Sequence, residues 1–294
     1  MKLSVIIPYF NDHEVLSKTI PFLIDEIEGK EVEIIIIDNG SHESLVVDGW
    51  PHVKVVWNST NAGVGGAFNQ GTQLFARSDR LVFMGADVIP AEGWVDRVIQ
   101  TLDDSTDTIF SCTSTEFVYD RKDDKIIHVD GKRRYGARIQ MKIDRDDLPP
   151  DHRDRQFPKY HRILQAQWNY QRADGDFTRV GCMLGAFYWM RKQDFIKMRG
   201  WNGHKAWGSL EPFLSIKARA HGMRILVDNK LEAAHYFGRK INRGSRPDIQ
   251  YYNMIFMAKT MFSEALEEEL IDYLMCGDGT EDLGRLNVTQ ALKM

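Results

Sequence analysis

Short runs of apolar, mostly β-branched residues alternate with helically spaced segments over the first hundred residues of the chain. The run at 32–37, VEIIII, is apolar on both faces, which is typical of a central strand in a parallel sheet. The other strands predicted in this part lie at 3–7, where Pro8 ends the run, at 53–57 and at 80–84. Helices are predicted between the strands, at 13–28 and 66–75. This alternation predicts an α/β fold with a doubly wound, mainly parallel sheet.

The middle of the chain differs in charge. Residues 117–175 contain 14 Lys or Arg and 10 Asp, in a chain of 294 residues whose net charge is −4. Prolines 149, 150 and 158 interrupt this segment, so it is predicted to be an irregular, basic insert. Beyond the insert, the sequence predicts a strand at 181–190, a strand at 224–228 and a short strand at 232–235. It also predicts helices at 192–198, 211–221 and 249–270.

Composition excludes several classes of protein. A net charge of −4 does not suit a general polyanion-binding protein, so any phosphate contact must come from a local patch. The three cysteines, Cys112, Cys182 and Cys276, form no CxxC pair, which fits a reducing compartment. The first ten residues are too short for a signal peptide, and no run of eighteen apolar residues follows. We therefore expect a soluble, cytoplasmic protein with no integral membrane segment.

Polar residues follow the predicted strands of the first half. In doubly wound sheets the ligand binds beyond the carboxyl ends of the strands. Asp38 lies at such an end, where it could hydrogen-bond a base or ribose, or simply form the turn of an Asp-Asn-Gly sequence; both interpretations stay open. The loop from Asn61 to Gly66 leads into a helix, so its backbone could approach a diphosphate, although it lacks the lysine of a Walker A loop.

Three further side chains carry chemistry. Asp87 follows a predicted strand and could bind a divalent cation, with His235 as a second ligand, or His235 could be a half-buried structural histidine. Glu211 precedes Pro212 and should lie at a helix N-terminus, where the dipole stabilises the ionised carboxylate. It could act as a general base or only cap the helix.

Taken together, these residues resemble the inverting family 2 glycosyltransferases of the GT-A fold, a Rossmann-like mixed sheet. The resemblance covers residues 1–100 and 178–240 but not the insert. Its first motifs are the opening VIIPYFN, the strand end IIDNGS, the segment from NAG to NQG, and FMGADV followed by GW. The second block contains GCMLGAF, RGW and WGSLE, which resembles the WGGED segment of many members. A dehydrogenase, the other reading of the first block, does not explain this second block.

The resemblance implies a role for each matching position. The donor, a nucleoside-diphosphate sugar that is UDP-linked, would be bound by Pro8, Tyr9, Asn11, Asp38, Asn61, Gly63, Asn69 and Ala86. A divalent cation, Mn²⁺ or Mg²⁺, would be bound by Asp87 and His235. Glu211 would deprotonate the acceptor, and Trp201, Trp207 and Gly208 would lie on the acceptor side. Two positions depart from the family pattern, because Gly85 replaces the first aspartate of DxD and Leu210 replaces the first acid of the ED pair.

The resemblance also implies a division of the chain. Residues 1–240 would form the GT-A domain, with a nucleotide-sugar half at 1–100, the acceptor-side insert at 117–175 and a catalytic half at 178–240. A helical extension would follow at 241–294.

The acceptor stays open between a saccharide in polysaccharide or glycoconjugate assembly and a hydroxylated base in DNA. An inactive, sugar-nucleotide-binding relative is a further alternative. The insert, with Tyr160, Trp168, Tyr170 and several arginines, including Arg133, Arg134, Arg153, Arg155 and Arg162, could hold an anionic polymer, helped by the basic stretch 239–246. It could equally be a salt-bridged lid, and Trp201 and Trp207 could stack on a sugar or belong to the core.

Overall fold

The computed structural model of the protein describes residues 1–43, 45, 47, 49–50, 52–144, 162–206, 208–236 and 247–275. Its strands are β1 (Leu3–Tyr9), β2 (Val32–Asp38), β3 (Val53–Trp57), β4 (Arg80–Met84), β5 (Val88–Pro90), β6 (Thr108–Asp120), β7 (Lys125–Arg134), β8 (Ala137–Ile143), β9 (Arg162–Trp168), β10 (Phe177–Arg179), β11 (Phe187–Arg191) and β12 (Arg224–His235). Its helices are α1 (His13–Ile27), α2 (Gly63–Gln70), α3 (Trp94–Asp103), α4 (Lys192–Lys197), α5 (Leu210–Ala220), α6 (Pro247–Met261) and α7 (Glu264–Met275). A wide helical turn at Gly71–Phe75 extends α2.

Ten of the described strands form one mixed, mainly parallel sheet. Its main path runs in the order β10-β12-β6-β11-β4-β1-β2-β3, while β5 pairs with β12 and β7 with β6. The strands from β3 to β4 are parallel, and β11 lies antiparallel between β4 and β6. The predicted fold class, a mainly parallel sheet flanked by helices, is confirmed.

Both faces of the central strands are buried, as the run VEIIII predicts. Ile35 and Ile37 of β2 belong to the core that contains residues of α2, α5, α6 and α7. Ile34 and Ile36 belong to the opposite core, which contains residues of α1 and α3. Because successive side chains of a strand point to opposite faces, one apolar strand contributes to both layers.

Strands β1 and β11 differ from the predicted bounds. Strand β1 continues through Pro8 to Tyr9. The pairing of β1 with β4 ends at Ile6, so the missing N–H of Pro8 breaks no hydrogen bond to β4. The predicted strand at 181–190 is wrong in its first half, since β11 covers only Phe187–Arg191. Gly181 and Gly185 interrupt that apolar run, and the Gly185–Ala186 peptide is cis.

The insert is more regular than predicted. Strand β6 extends to Asp120 and forms an antiparallel pair with β7, and β8 pairs with β9 as a two-stranded sheet. The three prolines of the insert, together with Arg153, Arg155 and Tyr160, lie outside the described residues.

The C-terminal part contains two helices where the sequence predicts one at 249–270. The backbone N–H of Glu267 donates to the carbonyl of Ser263, so Ser263 begins a new helix, as is usual for serine at an N-cap. The stretch 239–246 and residues 276–294, which include Cys276, lie outside the described part. No helix of the described part is long and apolar enough to cross a membrane.

Candidate active site

The loops after β1 and β2 are bonded to each other at the carboxyl edge of the sheet. Asn11 has a positive φ of 51° and receives a hydrogen bond at Oδ1 from the backbone N–H of His42, at 2.9 Å. Its own N–H donates to Ser41 Oγ at 2.9 Å, and the N–H of Asn39 donates to the carbonyl of Tyr9. Pro8, Tyr9 and Asn11 therefore lie beside the end of β2.

Asp38 forms the turn that was one of its two interpretations. Its Oδ1 accepts the N–H of Ser41 at 2.9 Å, which closes the turn. Its Oδ2 is fully buried and has no hydrogen-bond partner among the described residues. A buried carboxylate oxygen without a donor is costly, so this atom suits a ligand that brings an N–H or O–H group.

The loop before α2 is held by its own side chains. Asn61 Oδ1 accepts the N–H of Gly63 at 2.8 Å, and Asn39 Nδ2 donates to the Gly63 carbonyl at 3.2 Å. Gly63 has a φ of 74°, and a Cβ there would lie 2.5 Å from the Ala206 Cα. Glycine is required at this position because the segment before α5 packs directly against the N-terminus of α2.

The predicted contact of Asn69 with the phosphate end of the donor is not favoured by its position. Its Oδ1 accepts the N–H of Trp201 at 2.9 Å, and its Nδ2 donates to Asn202 Oδ1 at 3.1 Å. These contacts favour a structural role, in which Asn69 fixes the turn at 199–202 to α2.

Asp87 and His235 are brought together by the pairing of β5 with β12. The His235 Nε2 lies 3.3 Å from Asp87 Oδ1, and Val88 is the strand partner of His235. Ala86, in the adjacent turn, accepts a hydrogen bond at its carbonyl from Thr19 Oγ1 at 2.6 Å, which anchors the turn to α1. No group of three or more His, Cys, Asp or Glu that could hold a metal occurs among the described residues.

The lack of a side chain at Gly85 leaves room for the Asp87 carboxylate. A Cβ at residue 85 would lie 2.5 Å from Asp87 Oδ1, so the Asp87 carboxylate lies over the space that a side chain at 85 would need. The same Cβ would lie 3.2 Å from the Ala186 Cβ, and the N–H of Gly85 donates to the Ala186 carbonyl at 2.9 Å.

Glu211 lies in the first turn of α5, as its position before Pro212 predicts. Its carboxylate lies against the backbone of Gly185, where an added Cβ would be 2.2 Å from Glu211 Oε1. Burial and the nearby charge of Glu211 raise the pKa of the Tyr188 hydroxyl. The same two causes, burial first, raise the pKa of the Cys182 thiol, so Cys182 is a neutral thiol and no nucleophile.

The two carboxylates therefore lie against two backbone segments that are bonded to each other. Asp87 lies over Gly85, whose N–H donates to the Ala186 carbonyl, and Glu211 lies over Gly185, the residue before Ala186. A small cavity of about 10 Å³ adjoins the Gly185–Ala186 segment and is lined by Leu184, Gly185, Ala186, Ser114 and His235, among others. The one indication of this contact in the sequence is that a glycine within an apolar run, such as Gly185, often marks a close approach.

Trp201 is not an acceptor-side residue, and that prediction is wrong. It is 1% exposed, packs among Phe68, Phe83, Tyr188 and Phe195, and donates its Nε1–H to the Leu210 carbonyl. The sequence spacing did not show that the aromatic side chains around Trp201 form one buried cluster. Trp207 lies outside the described residues.

Gly208 belongs to a loop that is fixed by two residues that sequence reasoning missed. His204 Nε2 lies 2.7 Å from the Gly208 carbonyl, which assigns the proton to Nε2, and Asn253 Nδ2 donates to the same carbonyl at 3.2 Å. Asn253, fully buried on α6, also accepts the N–H of Lys205 at 2.9 Å and donates to the Lys205 carbonyl. The C-terminal helices thus hold the loop that precedes Glu211.

The buried His204 predicts a loss of stability in acid. Burial lowers its pKa from 6.5 to about 4, so below pH 6.5 the unfolded chain takes up the proton first. The stabilisation is complete above pH 6.5 and is lost as the pH falls towards 4, by at most about 3 kcal/mol. In urea unfolding experiments, the free energy of unfolding should decrease less steeply with falling pH for His204→Gln than for the native protein. The exposed-site control His13→Gln should fall as steeply as the native protein; equal slopes for all three would contradict the assignment.

Comparisons with known proteins agree with this architecture. The sequence model of the family described as Glycosyl transferase family 2 matches residues 4–198. Among solved structures, that of GalNAc-T7 with UDP, GalNAc and Mn²⁺ aligns with 99% of this chain and 54% of its own, at 17% identity and a TM-score of 0.64. That of S. aureus TarS residues 1–349 with UDP-GlcNAc aligns with 99% of this chain and 72% of its own, at 14% identity and a TM-score of 0.54.

These findings define the class. The chain belongs to glycosyl transferase family 2, and its fold is the GT-A fold of these neighbours. The chain spans about half the length of the GalNAc-T7 chain and about seven tenths of the TarS chain. A search of curated protein sequences found no match.

Proposed function

We propose that the protein is an inverting glycosyltransferase that moves a sugar from a nucleoside-diphosphate sugar to a hydroxyl group of a saccharide. The observation that carries the proposal is the position of the two carboxylates: Asp87 lies over Gly85, whose N–H donates to the Ala186 carbonyl, and Glu211 lies over Gly185, the residue before Ala186. One carboxylate is then placed to bind the leaving diphosphate through a cation and the other to accept the proton of the acceptor. Membership of family 2 supports this reading.

The donor would bind over the carboxyl ends of β1 and β2. Asp38 Oδ2, buried and without a donor among the described residues, would accept a hydrogen bond from the base. Pro8, Tyr9 and Asn11 would line this pocket, and the loop from Asn61 to Gly63 would support the phosphate end. A UDP-linked donor is favoured because UDP and UDP-GlcNAc are the ligands of the two neighbours.

A divalent cation fits the pair Asp87 and His235. Bound Mn²⁺ or Mg²⁺ would neutralise charge on the departing diphosphate. Asp87 would hold its carboxylate towards the ion because Gly85 leaves it the space, and His235 would be oriented by the end of β12. Gly85, which stands at the first position of DxD, thus leaves room for the carboxylate of Asp87 at the second.

Glu211 would act as the general base. The N-terminus of α5 stabilises its ionised form, and the carboxylate faces the segment that also adjoins Asp87. Removal of the acceptor proton during attack gives a single displacement with inversion, and the sugar forms no bond to the protein. Leu210 leaves this role intact, because its side chain is buried in the core.

Stability measurements with ligands test the proposal. We expect UDP or a UDP-sugar with Mn²⁺ to raise the melting temperature. At a ligand concentration of a hundred times the dissociation constant, binding should add about 2.7 kcal/mol to the free energy of unfolding. GDP, ADP and NAD are measured beside it, each with Mn²⁺ and with a chelator. Stabilisation by NAD alone would favour the dehydrogenase alternative, and donor binding without sugar release or transfer would favour an inactive relative.

A further inference from the structure

A groove beside α4 lies at the opposite edge of the sheet from the candidate active site. The backbone N–H of Lys192, the first residue of α4, donates to the Asp79 carbonyl at 2.8 Å, and Asp79 directly precedes β4. Asp87 lies past the other end of β4, which finishes at Met84. We name this cavity the α4 groove, and its wall includes Gln73, Lys192, Ile196, Arg199 and Asn202.

The α4 groove has the size and the wall of a small-molecule site. Its volume is about 510 Å³, and pockets that bind small organic molecules typically measure about 300–1,000 Å³. Phe195 and Ile196 supply the apolar part of the wall, and Ile196 is 56% exposed. The groove can therefore take a molecule with an apolar part, and not only an ion.

Three cations surround the α4 groove, and none of them has a carboxylate partner among the described residues. Lys192 and Arg199 line the groove directly. Lys217 lies behind the wall, where its Nζ donates to the carbonyl of Gly200 at 2.5 Å, and Gly200 lines the groove. Lys197, the other lysine of α4, is instead paired with Asp107 at 3.0 Å. The groove therefore carries an excess of positive charge.

The ionisable groups around the groove agree with this excess. Burial, and then the positive charge of Arg199, lower the pKa of the Lys217 ammonium from 10.5 to about 8. Asp194, the acid of α4, is buried and does not line the groove. Burial and the charge of Asp107 raise the pKa of Asp194, which favours its neutral form. An anion in the groove would thus meet cations that no nearby carboxylate neutralises.

The donors of the groove suit a phosphate group. The guanidinium of Arg199 can donate to two oxygens of one phosphate. Lys192 Nζ donates to the Ala76 carbonyl at 2.8 Å, which leaves two of its three N–H groups for a ligand. A phosphate monoester carries a charge of about −1.5 to −2 at pH 7, so it matches several uncompensated cations better than a singly charged carboxylate does.

We propose that the α4 groove binds a phosphate monoester with a partly apolar body, at a second site that is separate from the donor site. The phosphate would lie between Lys192 and Arg199, and the apolar part would pack on Ile196. The site does not depend on the proposed transfer reaction. A soluble phosphate ester and a lipid with a phosphate monoester headgroup share this chemistry, so the experiment separates the two sources.

Isothermal titration calorimetry with phenyl phosphate tests the site, with UDP and Mg²⁺ present to occupy the donor site. The variants are Arg199→Gln, Lys192→Gln and the control Lys122→Gln, which removes an exposed lysine from the turn after β6. We expect both groove variants to bind phenyl phosphate about tenfold more weakly and the control to bind within about twofold of the native chain. Inorganic phosphate and benzyl alcohol should each bind at least about tenfold more weakly than phenyl phosphate.

Several results would overturn the inference. They are no binding of phenyl phosphate by the native chain, equal binding by Arg199→Gln and Lys192→Gln, displacement of phenyl phosphate by UDP, and equal affinity for inorganic phosphate. The melting temperature of each variant without ligand shows that it is folded.

Vesicles identify the source of the phosphate once binding of phenyl phosphate depends on Arg199. The native chain and Arg199→Gln are sedimented with phosphatidylcholine vesicles, with and without phosphatidic acid. Sedimentation that requires both phosphatidic acid and Arg199 supports the site with a lipid as its ligand. Native chain that stays in the supernatant supports the site with a soluble ester as its ligand.

Discussion

Glu211→Gln should lower turnover by at least about a hundredfold while donor binding stays close to that of the native protein. The amide keeps the size and shape of the side chain over Gly185 but cannot accept the acceptor proton. The measurement is steady-state sugar transfer at saturating donor, together with the shift in melting temperature caused by UDP and Mn²⁺. A smaller kcat with an unchanged UDP response is the expected result.

A matched control separates the base from a helix cap. Glu264 lies in the first turn of α7 and is exposed, so Glu264→Gln makes the same change at a comparable helix position. Both substitutions remove a favourable interaction with the helix dipole, worth about 0.3–1 kcal/mol of stability. Only Glu211→Gln should lose turnover; transfer at near the normal rate in that variant would show that Glu211 is a cap and nothing more.

Asp87→Asn should abolish most of the cation-dependent part of donor binding and lower turnover by about a hundredfold or more. Asparagine fits the space beside Gly85 but has no negative charge to hold a divalent ion next to His235. The readouts are the difference in melting temperature with UDP between Mn²⁺ and chelator, and the Mn²⁺ concentration that gives half-maximal transfer. We expect the first to approach zero and the second to rise.

The control for this variant is Asp176→Asn. Asp176 is exposed and forms an ion pair with Lys230 near β10. Its substitution therefore removes a carboxylate outside the candidate active site. That protein should keep the native response to Mn²⁺. If Asp87→Asn also keeps it, the cation site lies elsewhere or the transfer does not use this residue.

Much of the fold could be predicted because the first half of the chain is patterned locally. A strand with apolar residues on both faces, such as β2, must be covered by helices on both sides, and the intervening sequence has helical spacing. The positions of Asp38, Asp87 and Glu211 were accessible for the same reason. Asp38 ends β2, Asp87 directly precedes β5 and Glu211 lies in the first turn of α5, so the place of each follows from the element beside it.

Other features depended on contacts between distant segments. Nothing in the sequence near Trp201 distinguishes a core aromatic from a sugar-stacking one, because the difference lies in the rings of α2, β4 and β11 that surround it. The break between α6 and α7 was missed because apolar residues continue through it. The fixing of the Gly208 loop by Asn253 joins residues that are 45 positions apart.

The chain's own pattern determined the layered α/β architecture and the residue types available at the sheet edge, because hydrophobic periodicity acts over a few residues. Only the tertiary structure decided that Asp87 lies over Gly85 and Glu211 over Gly185, on segments that are bonded to each other through Ala186. It also decided that Asp38 keeps one buried oxygen without a donor among the described residues, and that Trp168 is exposed while Trp201 is buried. Those outcomes depend on the packing of segments far apart in the chain, and a local pattern holds no information on which side chains such segments leave against one another or open to solvent.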